Sequence, residues 1–219
     1  MAVLAAWTLT AALASTPNLV YSLPPPRMRT YPVSGQRFED LLEACRAQGP
    51  EDSDGRRFPG LTRYSYRTQY RFDYKVEDGL AIIRLTEFSV DWSHEITLPT
   101  LAPGVRLPAR EAARWKQFMD QLQAHEDGHV GITSDSRLKE QFEAIAHRNR
   151  VLYKPLGPSG TLTPEAVQDV IDQALQPAIQ RLSTQISRRN REFDAATEHG
   201  LKPEGFDRTR FFAELWDGL

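Results

Sequence analysis

The stretch "AHEDGHVGIT", residues 124–133, constrains the fold of this chain more than any other. It holds two histidines four positions apart, His125 and His129, with Glu126 directly after the first. Residues four apart lie one turn apart on the same face of an α-helix, so a helix here directs both imidazoles towards one point. A strand or loop would not bring the two rings together in this way.

The flanking apolar residues independently predict that helix. At about 100° per residue, Trp115, Phe118 and Leu122 fall on the stripe that carries the two histidines. The helical pattern extends over residues 108–149, with a weak point at Gly131 where the helix can bend or break. The stripe therefore faces the interior of the folded domain.

Paired histidines at this spacing are typical of a zinc site, and the adjacent glutamate adds catalytic chemistry. Two imidazole nitrogens can bind one ion at about 2.0–2.1 Å. Glu126 lies about 100° round the helix, where its carboxylate can take a proton from a zinc-activated water and pass it to a leaving amine. This is the logic of the H-E-x-x-H pattern. The alternative is two histidines that pack at the edge of the core without a metal.

The composition narrows the possible ligands and partners. The single cysteine, Cys45, excludes an intrachain disulfide and a cysteine-based zinc site, so the zinc ligands must be His, Asp or Glu. The formal net charge of -2 shows no basic excess that would indicate a nucleic-acid partner. With 219 residues, of which 40% are hydrophobic, the chain is long enough for a sizeable core.

Zinc needs a third protein ligand, and three candidates have clear weaknesses. Asp135 occupies the third-ligand position of the extended H-E-x-x-H-x-x-G-x-x-H pattern, but Ile132 stands where that pattern needs Gly. His147 would lie about 27 Å beyond His129 along a straight helix. His94 follows a strand, and we expect it at the surface or at a sheet edge.

His199 is the strongest candidate for the third ligand. It lies in "REFDAATEHG" at the end of a last long helix, which Thr163 caps and which Pro177 should kink or split. A short connection between two long helices favours antiparallel packing, which brings this end alongside the zinc. Glu198 remains a rival ligand, because sites with two histidines and a glutamate are also common.

Alternation with a period of two predicts strands before the long helices. Aromatic and polar residues alternate in "TRYSYRTQYRFDYKV", "EDG" indicates a tight turn, and "LAIIRLTEFSVDW" follows as a second strand. We expect an α+β, zincin-like fold, in which a small antiparallel sheet packs on long helices that include the H-E-x-x-H helix. The strand from Ile82 to Leu98 is the candidate edge to which an extended substrate adds.

The first residues predict export. "MAVLAAWTLTAALAS" is apolar and uncharged, contains the A-x-A pattern of a cleavage site, and is short for a membrane span. We therefore predict a signal peptide at residues 1–14, a Pro-rich linker at 15–30, and the zinc-dependent protease-like domain at 31–219. The expected location is the periplasm or the outside of the cell, with no stable span in the mature chain. An uncleaved leader would anchor the protein to the membrane.

Several stretches together resemble a known bacterial family. They are "YPVSG", "TRYSYRTQYRF", "ITLP", "HEDGHVGI" and "REFDAATEHG", spread over roughly residues 30–200. They resemble the predicted secreted zinc-dependent proteases of bacteria, long catalogued as a domain of unknown function. The resemblance implies that His125, His129 and His199 are zinc ligands and that Glu126 is the catalytic acid and base. Phe193 stands where the family pattern often has Tyr.

We therefore expect a zinc-dependent peptidase that cleaves a peptide or protein substrate with Glu126 as general base. One alternative is an exported zinc domain without catalysis, a scaffold or binding module with a closed four-ligand site. The other is an amidase that acts on peptidoglycan stems, which shares the chemistry but not the substrate.

Overall fold

The computed structural model describes residues 16–157, 162–200, 206–214 and 216. The described strands are β1 (Asn18–Ser22), β2 (Arg27–Val33), β3 (Leu61–Glu77), β4 (Leu80–Leu101) and β5 (Val151–Pro155). The described helices are α1 (Phe38–Gln48), α2 (Ala109–Thr133), α3 (Ser136–Arg148), α4 (Pro164–Thr197) and α5 (Arg208–Ala213). The predicted signal peptide, residues 1–14, lies outside the described residues.

The long strand β4 organises the sheet. The strands β1, β2, β3 and β5 all pair with it. The strands β1 and β2 run parallel to β4, and β5 runs antiparallel. The turn between β3 and β4 consists of Asp78 and Gly79, whose φ angles of 50° and 74° match the left-handed turn that suits a tight hairpin. A two-residue connection requires β3 and β4 to be antiparallel.

The pairing corrects two expectations about the sheet. The sheet is mixed rather than antiparallel, because α1 and β3 separate β1 and β2 from β4 by enough chain to permit parallel pairing. The segment Ile82–Leu98 is not an edge, because it belongs to the central strand β4. Among the described strands, β3 pairs with β4 alone, so one backbone edge of β3 has no strand partner.

The stretch predicted as a Pro-rich linker contains paired strands. Residues 15–30 include β1 and the beginning of β2, and the three consecutive prolines fall between these strands. Polyproline and β-strand backbones are both extended, so one composition suits either conformation until a pairing partner is known. Here β4 is that partner, and these residues are not an irregular spacer.

The helices differ from the predicted pattern at the break in the first long helix. The helix predicted over residues 108–149 consists of α2 and α3, and it breaks after Thr133 rather than at Gly131. The helix α4 continues through Pro177 without splitting. A proline costs a helix one hydrogen bond, but the flanking Leu175 and Ile179 remain buried and hold the helix by packing.

Contacts divide the chain into two compact units, and β4 and α4 contribute residues to both. The first unit takes its described residues from within 1–22, 66–91 and 136–185. In its core the ring of Phe142 lies 6.2 Å from Tyr21, 5.6 Å from Tyr66 and 6.3 Å from Phe88. These aromatic contacts join α3 to the strands of that unit.

The second unit takes its described residues from within 23–65, 92–135 and 186–219. A short helix near the C-terminus, α5, also belongs to this unit, and its Phe211 packs 5.5 Å from Phe193 of α4. All residues of the site described below belong to this unit. One buried cluster of the unit joins β2, α1, β4 and α2: Val33, Leu41, Cys45, Ile96, Leu98, Trp115, Phe118 and Leu122.

His94 belongs to this second unit and is buried rather than at the surface or at a sheet edge. Its exposed fraction is 3%. Its Nε2 atom lies 2.7 Å from the hydroxyl oxygen of Thr133, and that hydroxyl donates to the Val130 carbonyl oxygen at 3.0 Å. The Thr133 oxygen therefore accepts from Nε2–H of a neutral imidazole. Burial lowers the pKa of His94, because the charged form loses hydration.

Acidification should destabilise the protein through His94. Its folded-state pKa lies below the ordinary value of 6.5, so the unfolded state binds a proton first. The stabilisation that neutral His94 contributes is complete above about pH 6.5. It is lost as the pH falls from there to the lowered pKa of the folded state. We expect His94→Gln, whose amide can still donate to Thr133, to lose less unfolding free energy than wild type between about pH 7.5 and about pH 5.5. Chemical denaturation measures both losses, and equal losses would contradict the assignment.

Candidate metal centre

The candidate site begins on the buried face of α2. His125, Glu126 and His129 are 6%, 2% and 8% exposed, so the spacing places all three in the interior as predicted. The two imidazole rings lie 4.7 Å apart and nearly perpendicular, at 89°. Their Nε2 atoms are 3.1 Å apart. Both rings therefore present the same nitrogen to one point.

The last turns of α4 supply polar partners for both histidines. Asn190, Asp194 and Thr197 are spaced by four and then three positions, which places them on one helical face. The Asp194 Oδ1 atom lies 3.3 Å from Nε2 of His125 and 3.0 Å from Nε2 of His129. One carboxylate oxygen of Asp194 thus lies close to the Nε2 atoms of both imidazoles.

Asn190 determines which nitrogen of His129 carries the proton. The Asn190 amide nitrogen donates to the Ile186 carbonyl oxygen at 2.8 Å. Its Oδ1 atom therefore faces His129, and it lies 2.7 Å from Nδ1 of that ring. Since Oδ1 can only accept, His129 donates from Nδ1–H, and Nε2 of the neutral ring holds a lone pair.

Thr197 determines in the same way which nitrogen of His125 carries the proton. Its hydroxyl donates to the Phe193 carbonyl oxygen at 2.8 Å, which uses its one proton. The hydroxyl oxygen lies 3.1 Å from Nδ1 of His125 and accepts from Nδ1–H. Both neutral imidazoles therefore direct an Nε2 lone pair into the site.

When both rings are neutral, three acceptor atoms converge. The Nε2 atoms of His125 and His129 and Oδ1 of Asp194 lie 3.0–3.3 Å from one another. Ligand atoms that bind one tetrahedral zinc at 2.0–2.1 Å are themselves about 3.3 Å apart. Two imidazoles and a carboxylate are also a ligand set that zinc accepts. Among the described residues, these three form a group whose ligand atoms could hold one ion.

The electrostatics of the group favour a positive charge between its members. Burial lowers the pKa of His125. Burial also acts against the charged form of His129, but the hydrogen bond and charge of Asp194, the charge of Glu126 and the hydrogen bond with Asn190 together outweigh it, and the pKa of His129 is raised. For Asp194, burial acts to raise the pKa, and the hydrogen bonds with both histidines reverse this and hold it well below its usual range. The ionised carboxylate thus favours a proton or a metal ion beside it.

Glu126 lines the same cavity but does not belong to the converging group. Its Oε2 atom accepts a hydrogen bond from the Thr62 hydroxyl at 2.7 Å. Burial raises the pKa of Glu126 to about 7. The cavity has a volume of about 130 Å³, and Tyr64 and Asn190 also line it. A carboxyl group with a pKa close to neutrality can both take and return a proton.

His199 approaches the site through Asp194. After α4 the residues Glu198, His199 and Gly200 have φ angles of 47°, 55° and 80°, and these left-handed residues turn the chain back. The Nδ1 atom of His199 then lies 3.3 Å from Asp194 Oδ1. Since each Nε2 atom lies no more than 3.3 Å from that oxygen, the Nδ1 atom of His199 lies within twice 3.3 Å of both Nε2 atoms. Its role as a ligand stays a prediction.

Spacing in the sequence did not suggest Asp194 as a ligand. The signal that could have found it is the pattern N-x-x-F-D-x-x-T on the predicted last helix, which places three polar side chains on one face. Two rival candidates, Asp135 after the end of α2 and Glu198 after the end of α4, do not belong to the converging group of described residues. Those two therefore have less support than Asp194.

Close packing between α2 and α4 sets the orientation of the rings. Phe193 is 2% exposed, stacks on His125 at 5.0 Å and 11°, and meets His129 edge-on at 5.1 Å and 85°. A Cβ atom on Gly128 would overlap the Phe193 ring. Gly128 therefore permits the approach that lets Asn190 and the other α4 side chains contact the histidines.

We expect Gly128→Ala to destabilise the protein by about 1–3 kcal/mol, because the new methyl group forces α2 and α4 apart. The intrinsic helix propensity of alanine acts in the opposite direction. Gly131→Ala on the same helix is the control, since its Cβ would lie 3.1 Å from the edge of the Phe212 ring of the short helix α5. Chemical denaturation compares the two variants. A Gly128→Ala protein as stable as wild type would contradict this packing.

Comparison with known proteins places the chain in a family without assigning an activity. No curated protein and no solved structure matched it. The matched family model contains the α2 residues of the site but ends before α4, so Asp194 lies outside it. That model, described as "Bacterial protein of unknown function (DUF922)", matches residues 28–151, more than half of the chain, and the protein therefore belongs to this bacterial family.

Proposed function

We propose that this protein is a zinc-dependent peptidase. The observation that carries the proposal is the convergence of His125 Nε2, His129 Nε2 and Asp194 Oδ1 at 3.0–3.3 Å from one another, with Glu126 beside them. These three side chains would hold the ion, and His199 stands next to Asp194. Bound zinc supplies a Lewis acid that activates water at neutral pH.

The partners on α4 prepare the ligands. Asn190 and Thr197 accept from Nδ1–H of the two histidines, which fixes the tautomer and the ring orientation. Phe193 packs against both rings and excludes water from one side. The two Nε2 lone pairs are therefore presented in the protein before an ion arrives, and little reorganisation accompanies binding.

Glu126 is the proposed general base. It is buried, it lines the cavity that also contains the two histidines, and it stays outside the group of three ligands. Its carboxylate takes a proton from the attacking water as the new bond to the substrate carbonyl carbon forms. The carboxyl group then returns the proton to the leaving amine nitrogen as the C–N bond breaks.

The strand β3 supports an extended peptide as the substrate. One backbone edge of β3 has no strand partner among the described residues, and Thr62 and Tyr64 at its beginning line the cavity. An extended peptide can pair with such an edge as an added strand, which would place one of its carbonyl groups beside Glu126. This edge replaces the central segment Ile82–Leu98 in that role.

Export remains part of the proposal. Within the described ranges, every helix is too short or too polar to cross a membrane. The prediction of a signal peptide rests on residues 1–14, which lie outside those ranges. We propose a peptidase that acts in the periplasm or outside the cell.

The ligand assignment predicts unequal effects of two substitutions on zinc affinity. We expect Asp194→Ala to lower the affinity by about 100-fold or more, because a direct ligand is lost. We expect His199→Ala to lower it by about 10-fold or less, because His199 acts on the ion through Asp194. Competition titration of the metal-free proteins with a zinc chelator measures both. A larger loss for His199→Ala would make His199 the third ligand, as the family resemblance implies.

The catalytic assignment predicts a separation of binding from activity. Glu126→Gln should retain about one zinc per chain and lose cleavage of fluorescently labelled casein by about 100-fold or more. The amide cannot take the proton, whereas the ligands are unchanged. Metal analysis and the cleavage assay are run on the same preparation. Cleavage at the wild-type rate would remove Glu126 as the base, and a wild type that binds zinc but cleaves nothing would favour the non-catalytic scaffold.

A further inference from the structure

We propose that Thr62 is a positioning residue that holds the Glu126 carboxylate towards the site during turnover. This inference rests on the proposed peptidase function and adds a residue from β3 to it. Thr62 lies at the beginning of β3, distant in sequence from both halves of the metal centre. Neither the H-E-x-x-H pattern nor the pattern on α4 points to it.

Two features of one short segment, a hydroxyl donor and a closely approaching glycine, restrict the two carboxylate oxygens. The Thr62 hydroxyl donates to Oε2 of Glu126 at 2.7 Å. On the other side, a Cβ atom at Gly60 would stand 2.6 Å from Oε1 and 2.9 Å from Leu122. The bare backbone of Gly60 therefore closes against one oxygen while the hydroxyl of Thr62 holds the other.

Because Glu126 is buried, the hydrogen bond from Thr62 matters for the position of its carboxylate. Glu126 is 2% exposed, so water does not readily replace a missing donor. A glutamate side chain has three rotatable bonds, and a displacement of about 1 Å from the productive position can cost about 100-fold in rate. A donor at 2.7 Å on one oxygen and the nearby Gly60 backbone beside the other restrict the orientation of the carboxylate.

The Thr62 hydroxyl can also serve the carboxyl group after it has taken a proton. Its oxygen lies 3.3 Å from the main-chain carbonyl oxygen of Glu126 as well. A hydroxyl has one proton to donate and two lone pairs to accept with. The Thr62 hydroxyl donates to Oε2 while Glu126 is a carboxylate. When Oε2 carries the transferred proton, the Thr62 oxygen accepts that proton in a hydrogen bond and the hydroxyl donates to the main-chain oxygen of Glu126 instead. Only hydrogen atoms need to move between the two states.

The test compares two substitutions that differ in the hydroxyl. Thr62→Val keeps the shape of the side chain and removes the hydroxyl, whereas Thr62→Ser keeps the hydroxyl. The matched control is Thr184→Val, because the Thr184 hydroxyl donates to the Gln180 carbonyl oxygen at 3.0 Å within α4 and lines no part of the site. All variants are assayed with zinc-loaded protein and labelled casein.

We expect Thr62→Val to lower kcat by about 10- to 100-fold with KM within about twofold of wild type and unchanged zinc content. The kcat of Thr62→Ser should stay within about threefold of the wild-type value, and the kcat of Thr184→Val should equal the wild-type value. A wild-type kcat for Thr62→Val, or a loss for Thr62→Ser as large as that for Thr62→Val, would overturn the proposal.

A second measurement on the metal-free protein does not depend on activity. Thr62→Val should lower the unfolding temperature by about 3 °C or more, because it leaves the buried carboxylate without its donor. In a Glu126→Ala background, Thr62→Val should lower the unfolding temperature by less than about half as much as it does in the wild-type background. Equal costs in both backgrounds would show that the hydroxyl does not act on Glu126 and would overturn the inference. An inactive wild type with the coupling intact would instead contradict the peptidase function.

Discussion

The hydrogen bonds from α4 to the two imidazoles of α2 are the interaction on which the candidate site depends. The Asn190 Oδ1 atom carries no proton, and the Thr197 hydroxyl proton is engaged with a backbone carbonyl oxygen, so each of these oxygens can only accept from a histidine. Both Nε2 lone pairs must then face Asp194. Three converging acceptors repel one another unless a cation lies between them. A cation there, either a proton or the proposed zinc ion, offsets this repulsion.

The site joins three elements that are distant in sequence, and its residues all belong to one compact unit. The helix α2 provides the histidines and Glu126, α4 provides Asp194 and the partners of the rings, and the start of β3 provides Thr62. Gly128 and Gly60 mark the two closest approaches, where an added methyl group would strike Phe193 and Glu126. The absence of side chains at these two positions is therefore as necessary to the geometry as the ligands are.

Local patterns in the sequence were sufficient for α2, for the buried face of His125 and His129, and for the hairpin turn, because each depends on neighbours within a few positions. Partners that depend on the path of the chain were not predictable in this way. The central place of β4 follows from pairing with strands far away in sequence. Whether Asp194 or His199 lies nearer to the two imidazoles depends on the left-handed residues after α4. Their backbone turns the chain so that His199 contacts the Asp194 carboxylate.

The most direct test of the metal centre is the anomalous diffraction of a crystal grown with zinc. We predict one peak at about 2.0–2.1 Å from Nε2 of His125, Nε2 of His129 and a carboxylate oxygen of Asp194, with Glu126 outside the bonding distance. A crystal without zinc between these atoms, in which the two Nε2 atoms share a proton with Asp194, would contradict the account.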